Sequence, residues 1–215
     1  FGREQEPVVV IDNAVSVPDD LRRYAVEKNK FARADNFYPG VRMPAPKLYT
    51  AALAKNLELI IKKVFGLDAR GVQRATSQFS IVTDKPESLS LMQRVPHIDA
   101  ATENGLAAIH YLINDENTGT AFYRHQTTGY EHISAQRYTG YITTLKNELA
   151  ECPPVGYVSS KCSQFEAIGK VDAVYNRVVL YRGASLHSGI IPEGCSFDAS
   201  PETGRLTITS FYTFS

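Results

Sequence analysis

Asn176-Arg177-Val178-Val179-Leu180-Tyr181 is a short run rich in β-branched and aromatic residues, and Arg182-Gly183-Ala184-Ser185-Leu186-His187-Ser188-Gly189 follows it directly. The first stretch reads as a strand, the second as a turn that carries a histidine just beyond it. The same texture runs through the chain beyond Gly71. Strands are expected at 72–82, 88–95, 106–113, 120–124, 165–171, 177–182 and 205–214. So many short strands broken by turn signals predict a sheet sandwich or jelly roll.

Working outward, the first third differs. Pro7-Val8-Val9-Val10-Ile11 is an apolar β-type run, and Ser16 to Asp20 then supplies helix-start chemistry before Leu21, Tyr24 and Ala25. Leu53, Leu57, Ile60, Ile61 and Val64 follow helical spacing between Thr50 and Phe65, with Gly66 as a stop. Phe31 to Pro46 reads as a loop bearing aromatic, Pro and Gly residues. A second helical pattern, Ser134 to Leu149, lies in a stretch at 126–164 that interrupts the strands and ends before Cys152-Pro153-Pro154. The expected fold class is α+β, mainly β: N-terminal helices on one sheet of a jelly roll, with a helical insertion. At 215 residues this suits one domain, 1–215, divided into a helical lead-in at 1–70 and a β body at 71–215.

The 23 Lys and Arg balance 23 Asp and Glu, and no charge run dominates. That leaves no electrostatic footprint for nucleic acid or an anionic membrane, and no apolar run approaches the ~20 residues of a membrane span. Phe1 opens no signal-peptide pattern, and the missing initiator Met suggests a trimmed start or a partial chain. Cys152, Cys162 and Cys195 cannot all pair within one chain and form no short-spaced metal knuckle. A Cys152–Cys162 disulfide is allowed but not argued for by spacing, so a reduced, cytoplasmic protein is expected.

Chemistry concentrates at Val95-Pro96-His97-Ile98-Asp99. On a strand, side chains at i and i+2 share a face, which brings His97 and Asp99 together. An imidazole beside a carboxylate makes two-thirds of the 2-His-1-carboxylate triad that holds Fe(II) and leaves positions open. An H-x-D taken alone is common, and its plain reading is polar residues at a strand end. His187, just past an apolar strand and close to Gly189, is the best-placed third ligand. The plain alternative is a loop histidine with a satisfied hydrogen bond. His110, inside Ala108-Ile109-His110-Tyr111, reads as a satisfied core or supporting histidine, and His125 and His132 as exposed polar residues. Arg205 opens the terminal strand with Thr207 on its face, a fork and a hydroxyl suited to a carboxylate. Alone, Arg205 would be a strand-edge charge.

In this order the residues resemble the 2-oxoglutarate- and Fe(II)-dependent oxygenase superfamily, nearest its prolyl-4-hydroxylase-like branch. That motif is H-x-D, a distant His, then a basic residue on the following strand. His187 lies 88 residues after Asp99, and Arg205 lies 18 after His187. Tyr111-Leu112-Ile113-Asn114 followed by Gly119-Thr120-Ala121-Phe122 resembles the branch's hairpin, with its paired glycines reduced to Gly119. Asn176 to Tyr181 resembles the strand before the distal His, and Arg205-x-Thr207 is similar to an Arg-x-Ser pair of the superfamily. The resemblance covers most of 88–214 and the N-terminal third more loosely.

The resemblance implies a cupin-like double-stranded β-helix. Iron would sit on His97, Asp99 and His187. The co-substrate 2-oxoglutarate would be held by Arg205 and Thr207, with Tyr111 the candidate for a binding tyrosine, and O2 would be the oxidant. The implied reaction is hydroxylation of a substrate C–H with release of succinate and CO2; Asp99 in the triad favours hydroxylation over halogenation. Two other readings stand beside it: a catalytically silent cupin-like module that binds a metal or small ligand, and a zinc hydrolase using the same three ligands. The substrate is read as a small molecule or a peptide. Phe37-Tyr38-Pro39-Gly40-Val41-Arg42 and the 126–164 insertion are the expected cleft walls. Phe37, Tyr38, Tyr138 and Tyr141 fit equally a core or the contact of a homodimer.

Overall fold

Side-chain alternation along the strands sorts the core into layers. The computed structural model describes residues 1–33, 37–113, 115–158 and 162–215. In chain order these form β1 (Val8–Ile11), α1 (Pro18–Lys28), β2 (Ala32–Arg33), β3 (Gly40–Pro44), α2 (Lys47–Phe65) and β4 (Val72–Val82). Then come β5 (Gly105–Tyr111), β6 (Asp115–His125), α3 (Ala135–Glu151), β7 (Phe165–Ala173), β8 (Arg177–Arg182), β9 (His187–Ile190) and β10 (Leu206–Phe214). A seven-stranded sheet runs β1-β8-β5-β10-β4-β3-β2, and a three-stranded sheet runs β7-β6-β9. All described pairings are antiparallel. The fold is the expected one: α+β, mainly β, a double-stranded β-helix.

Along β10, Leu206, Ile208, Tyr212 and Phe214 enter a core shared with α1 and α2, whereas Phe211 packs toward the other sheet. On α2, Leu53, Leu57, Ile61 and Phe65 recur at helical spacing and are buried in that core. Each such side chain contributes roughly 1.5–3 kcal/mol by leaving water. Gly66 ends the helix in the left-handed conformation at φ 70°. The N-terminal helices thus cover the outer face of the large sheet. On the small sheet, α3 sets Tyr141, Leu145 and Leu149 against Ala121, Tyr123, Phe165 and Leu186. Both outer faces are covered, and the inner faces are left to each other.

Several expectations need correction. Residues 88–95 are not a strand. Ser90 and Gln93 make a reciprocal capping box that starts a short 3-10 turn at Leu91–Arg94, and Pro96 lacks the N–H that a ladder needs. The loop read at 31–46 contains β2 and β3, which extend the large sheet beyond β4. The segment after Tyr111 is not a hairpin, since β5 belongs to the large sheet and β6 to the small one; Asn114 lies outside the described residues. His125 is wholly buried rather than exposed: it sits between Tyr141 and Phe165, with Nε2 2.7 Å from Glu148 of α3. His132 is buried too, and its backbone bridges to Ser185. The four loop and helix aromatics divide: Tyr141 is buried and Tyr38 half-buried, whereas Phe37 and Tyr138 are exposed. Cys152, Cys162 and Cys195 are free thiols.

His110 is a core histidine. Asn176 Oδ1 already accepts from Val15 N–H, so it also accepts from His110 Nε2–H at 3.1 Å, leaving Nδ1 to accept the Tyr49 hydroxyl at 3.1 Å. Desolvation pushes its pKa down to about 4, against a smaller opposing pull from Asn176. The unfolded chain takes up this proton near pH 6.5, whereas the folded site resists it until about 4. Stability therefore falls as pH drops through that window, by up to about 3 kcal/mol from this residue. Urea unfolding at pH 7 and pH 4.5 should show a smaller loss in His110→Gln than in the wild type. Equal losses would contradict the assignment.

Candidate metal centre

His97 and His187 exchange two backbone hydrogen bonds, His97 N–H to His187 O at 2.9 Å and His187 N–H to His97 O at 3.0 Å. This isolated bridge ties the loop after Pro96 to the first residue of β9. It also holds the two imidazoles 4.4 Å apart, centre to centre. Asp99 is fixed separately by its N–H on Gly183 O at 2.7 Å, in the turn after β8. The expectation that strand alternation aligns His97 with Asp99 is therefore corrected: neither lies on a regular strand, and two backbone anchors bring them together. His187 begins β9, a strand that the sequence reading took as a turn.

The three residues offer ligand atoms that all lie within 4.8 Å of one another. Asp99 Oδ2 is 3.5 Å from His187 Nε2, and Asp99 Oδ1 is 3.9 Å from His97 Nε2. His187 Nδ1–H donates to Ser185 O at 2.9 Å, so the lone pair sits on Nε2, facing Asp99. The Tyr181 ring meets His187 edge-on at 4.7 Å and supports its plane. His187 is buried, while the His97 side chain stays 53% exposed at the mouth of the site. Two imidazoles and a carboxylate converging with one side open suit a divalent ion that keeps free positions.

Desolvation lowers His187 to about 4. The same effect, with His187 and Arg42 as further causes against an opposing Asp99, lowers His97 to about 4; its exposed half makes this the softer shift. Desolvation raises Asp99 to about 6, against His97 and Arg42. Both imidazoles are thus neutral at pH 7, each with a lone pair to offer, and the carboxylate is the last group to hold a proton.

Arg205 immediately precedes β10 and is buried. Its Nη2 donates to Gly119 O at 2.9 Å, and its Nε is buried with no hydrogen-bond partner among the described residues. An orphaned guanidinium N–H fits an anion such as the far carboxylate of 2-oxoglutarate. Gly119, at φ 156°, is required here, because a Cβ would lie 2.2 Å from Val171 O. Thr207 is buried with its hydroxyl donating weakly to Ser80 O at 3.3 Å. Tyr111, paired with Thr207 across the sheet, sets its hydroxyl 2.7 Å from Thr120 Oγ1 and lies within the field of Arg205. A cavity of about 640 Å³ has Arg205 in its wall, along with Ile113, Asp115, Thr118 and Cys195.

Arg42 enters the sequence reading only as the last residue of an expected cleft wall, with no role of its own. Its positive charge lowers the pKa of both His97 and Asp99, as the smallest of the causes acting on each. The signal was present in Gly40-Val41-Arg42-Met43: Val41 and Met43 join the core under the helices, so Arg42 between them faces inward.

The model of DUF6445, a family of unknown function, matches residues 1–212. The chain belongs to DUF6445. No curated protein sequence matches this DUF6445 member. Among solved structures, it is similar to a Pseudomonas putida prolyl-4-hydroxylase at 12% identity and a TM-score of 0.53, covering 99% of this chain and 95% of that one. The epimerase SnoN, in complex with Fe3+, alpha ketoglutarate and nogalamycin RO, aligns at 11% identity and a TM-score of 0.55, over 98% and 80% of the two chains. A prolyl hydroxylase from Trichoplax adhaerens, in complex with a peptide fragment of a hypoxia-inducible factor oxygen degradation domain, aligns at 11% and 0.53, over 98% and 85%. The DUF6445 chain therefore has the fold of the 2-oxoglutarate- and Fe(II)-dependent oxygenases, the superfamily its motifs resemble. Among the described residues no helix is long and apolar enough to cross a membrane.

A metal bound here competes with a proton on Asp99. Above about pH 6 the carboxylate is free; below it, affinity for Co(II) should fall about tenfold per pH unit, and more steeply near pH 4 as the imidazoles protonate. Titration at pH 7 and pH 5 measures this. Unchanged affinity would remove Asp99 from the site.

Proposed function

We propose that this protein is an Fe(II)- and 2-oxoglutarate-dependent dioxygenase, acting as one domain, that hydroxylates a small-molecule or peptide substrate with release of succinate and CO2. The observation that carries this is a triad of His97, Asp99 and His187 with both histidine Nε2 atoms near Asp99, in a fold shared with such enzymes. The orphaned Nε of Arg205 distinguishes it from a bare metal site.

The metal and co-substrate, when bound, supply the oxidising chemistry. The chain's own residues hold and orient. His97, Asp99 and His187 would occupy one face of the ion and leave the other open. The Ser185 carbonyl keeps the His187 proton on Nδ1, away from the ligating atom. Arg205 would take the far carboxylate through its free N–H while the Gly119 carbonyl fixes its fork. Thr207 would add a hydroxyl by turning from Ser80 O, and Tyr111, buried and tied to Thr120, would floor that end of the site. Desolvation around these groups strengthens each charge contact.

Mixing the protein anaerobically with Fe(II) and 2-oxoglutarate should produce the weak visible band of the chelate. Arg205→Ala should weaken 2-oxoglutarate binding at least tenfold, and His187→Ala should abolish the band. A normal band in both variants would refute the assignment. Gly119→Ala, which shifts the carbonyl holding Arg205, should raise the 2-oxoglutarate concentration needed for half the band while leaving Fe(II) affinity unchanged. Equal concentrations would detach Gly119 from the co-substrate site.

A further inference from the structure

Arg42 is a second inward-facing cation, and the reading above gives it no partner. Register places it opposite Ser80, Ser80 opposite Thr207, and Thr207 opposite Tyr111, so the four share one row on the inner face of the large sheet. Its guanidinium lies 4.1 Å from the centre of the Tyr38 ring, which fixes the plane of the fork. Nη1 makes one long hydrogen bond, 3.4 Å, to Gln78 Oε1. Nε is buried and has no hydrogen-bond partner among the described residues.

Several other arginines of this protein are matched by acids. Arg33 pairs with Asp84, Arg124 with Glu131 and Glu166, Arg177 with Asp12, and Arg182 with Glu6. Arg42 has no carboxylate within ion-pair distance among the described residues. A largely desolvated guanidinium without an acid costs free energy that a ligand would offset. Burial indeed holds its pKa below the usual guanidinium range, against Tyr38 and Asp99. A divalent ion on the triad, Arg205 and Arg42 would bring four positive charges, against three negative charges from Asp99 and the 2-oxoglutarate dianion. The remaining charge is that of Arg42.

We propose that Arg42 anchors the substrate through a carboxylate, so that the substrate is an organic acid presenting a C–H beside the triad. A planar fork stacked on Tyr38 matches a carboxylate in two-point contact. Arg42 shares the inner-face row with Thr207, two residues from Arg205, so the anchor lies inside the sandwich on the side of the co-substrate residues. This assignment rests on the oxygenase reading for its chemistry, though the anion site itself does not need it.

The test uses hexanoate and benzoate against hexanamide and benzamide. Their binding is followed by saturation-transfer NMR on the protein loaded with Co(II) and 2-oxoglutarate, and again on the metal-free protein. The wild type should bind each acid at least tenfold more tightly than its amide. Arg42→Gln should lose that preference, Arg42→Lys should keep part of it, and 2-oxoglutarate affinity in both should stay within about threefold of wild type. The lysine variant retains the charge and guards against a folding defect in the glutamine variant. Equal binding of acid and amide by the wild type, a preference that survives Arg42→Gln, or a tenfold loss of 2-oxoglutarate instead would each overturn the proposal. If the wild type takes no 2-oxoglutarate, the oxygenase reading fails. An acid preference in the metal-free protein that depends on Arg42 would still uphold the anion site.

Discussion

The reciprocal backbone pair between His97 and His187 is the constraint on which the site depends. Two hydrogen bonds join a loop without regular structure to the start of β9 and fix the distance between the imidazoles. A metal site needs its donors within a few tenths of an ångström, and side-chain rotamers alone do not give that. Here the backbone supplies it. Asp99 gains the same precision from Gly183, and Ser185 from the same turn sets the His187 tautomer. One turn, 183–187, thus orients two of the three donors.

The remainder of the fold keeps that turn in place and leaves a polar interior beside it. The helices α1 and α2 cover one sheet and α3 the other, so hydrophobic burial is satisfied on the outside of the sandwich. The inner faces can then carry Arg42, Ser80, Thr207 and Tyr111 in one row without sacrificing the core. His125, bonded to Glu148 and enclosed by Tyr141 and Phe165, ties α3 to the end of β6. The helical insertion therefore acts first as a cover for the small sheet.

Much of this is legible in the sequence, and the gaps have physical causes. The strands around 72–82, 106–111, 165–173, 177–182 and 206–214 carry dense β-branched and aromatic runs, and the helices carry clear spacing with Pro18 and Gly66 at their ends. Strand β9 is short and reads His-Ser-Gly-Ile, so composition marks it as a turn, while pairing with β6 makes it a strand. Strand β3 is hidden by its proline and glycine neighbours. The 88–95 segment carries strand-like residues, but a local capping box and Pro96 decide it. His97, Asp99 and His187 are brought together as the order of residues suggested, by anchors that no local pattern reveals. His125 and His132 show the converse: polar residues beside an insertion read as surface until their partners are placed, α3 for His125 and the Ser185 bridge for His132.

The most direct test of the account is a crystal structure of the protein grown anaerobically with Fe(II) and 2-oxoglutarate, with anomalous data at the iron edge. The account requires one iron peak at bonding distance from Nε2 of His97, a carboxylate oxygen of Asp99 and Nε2 of His187, with 2-oxoglutarate reaching the Arg205 guanidinium. Iron elsewhere, or the three residues closed on one another with no anomalous density between them, would contradict it.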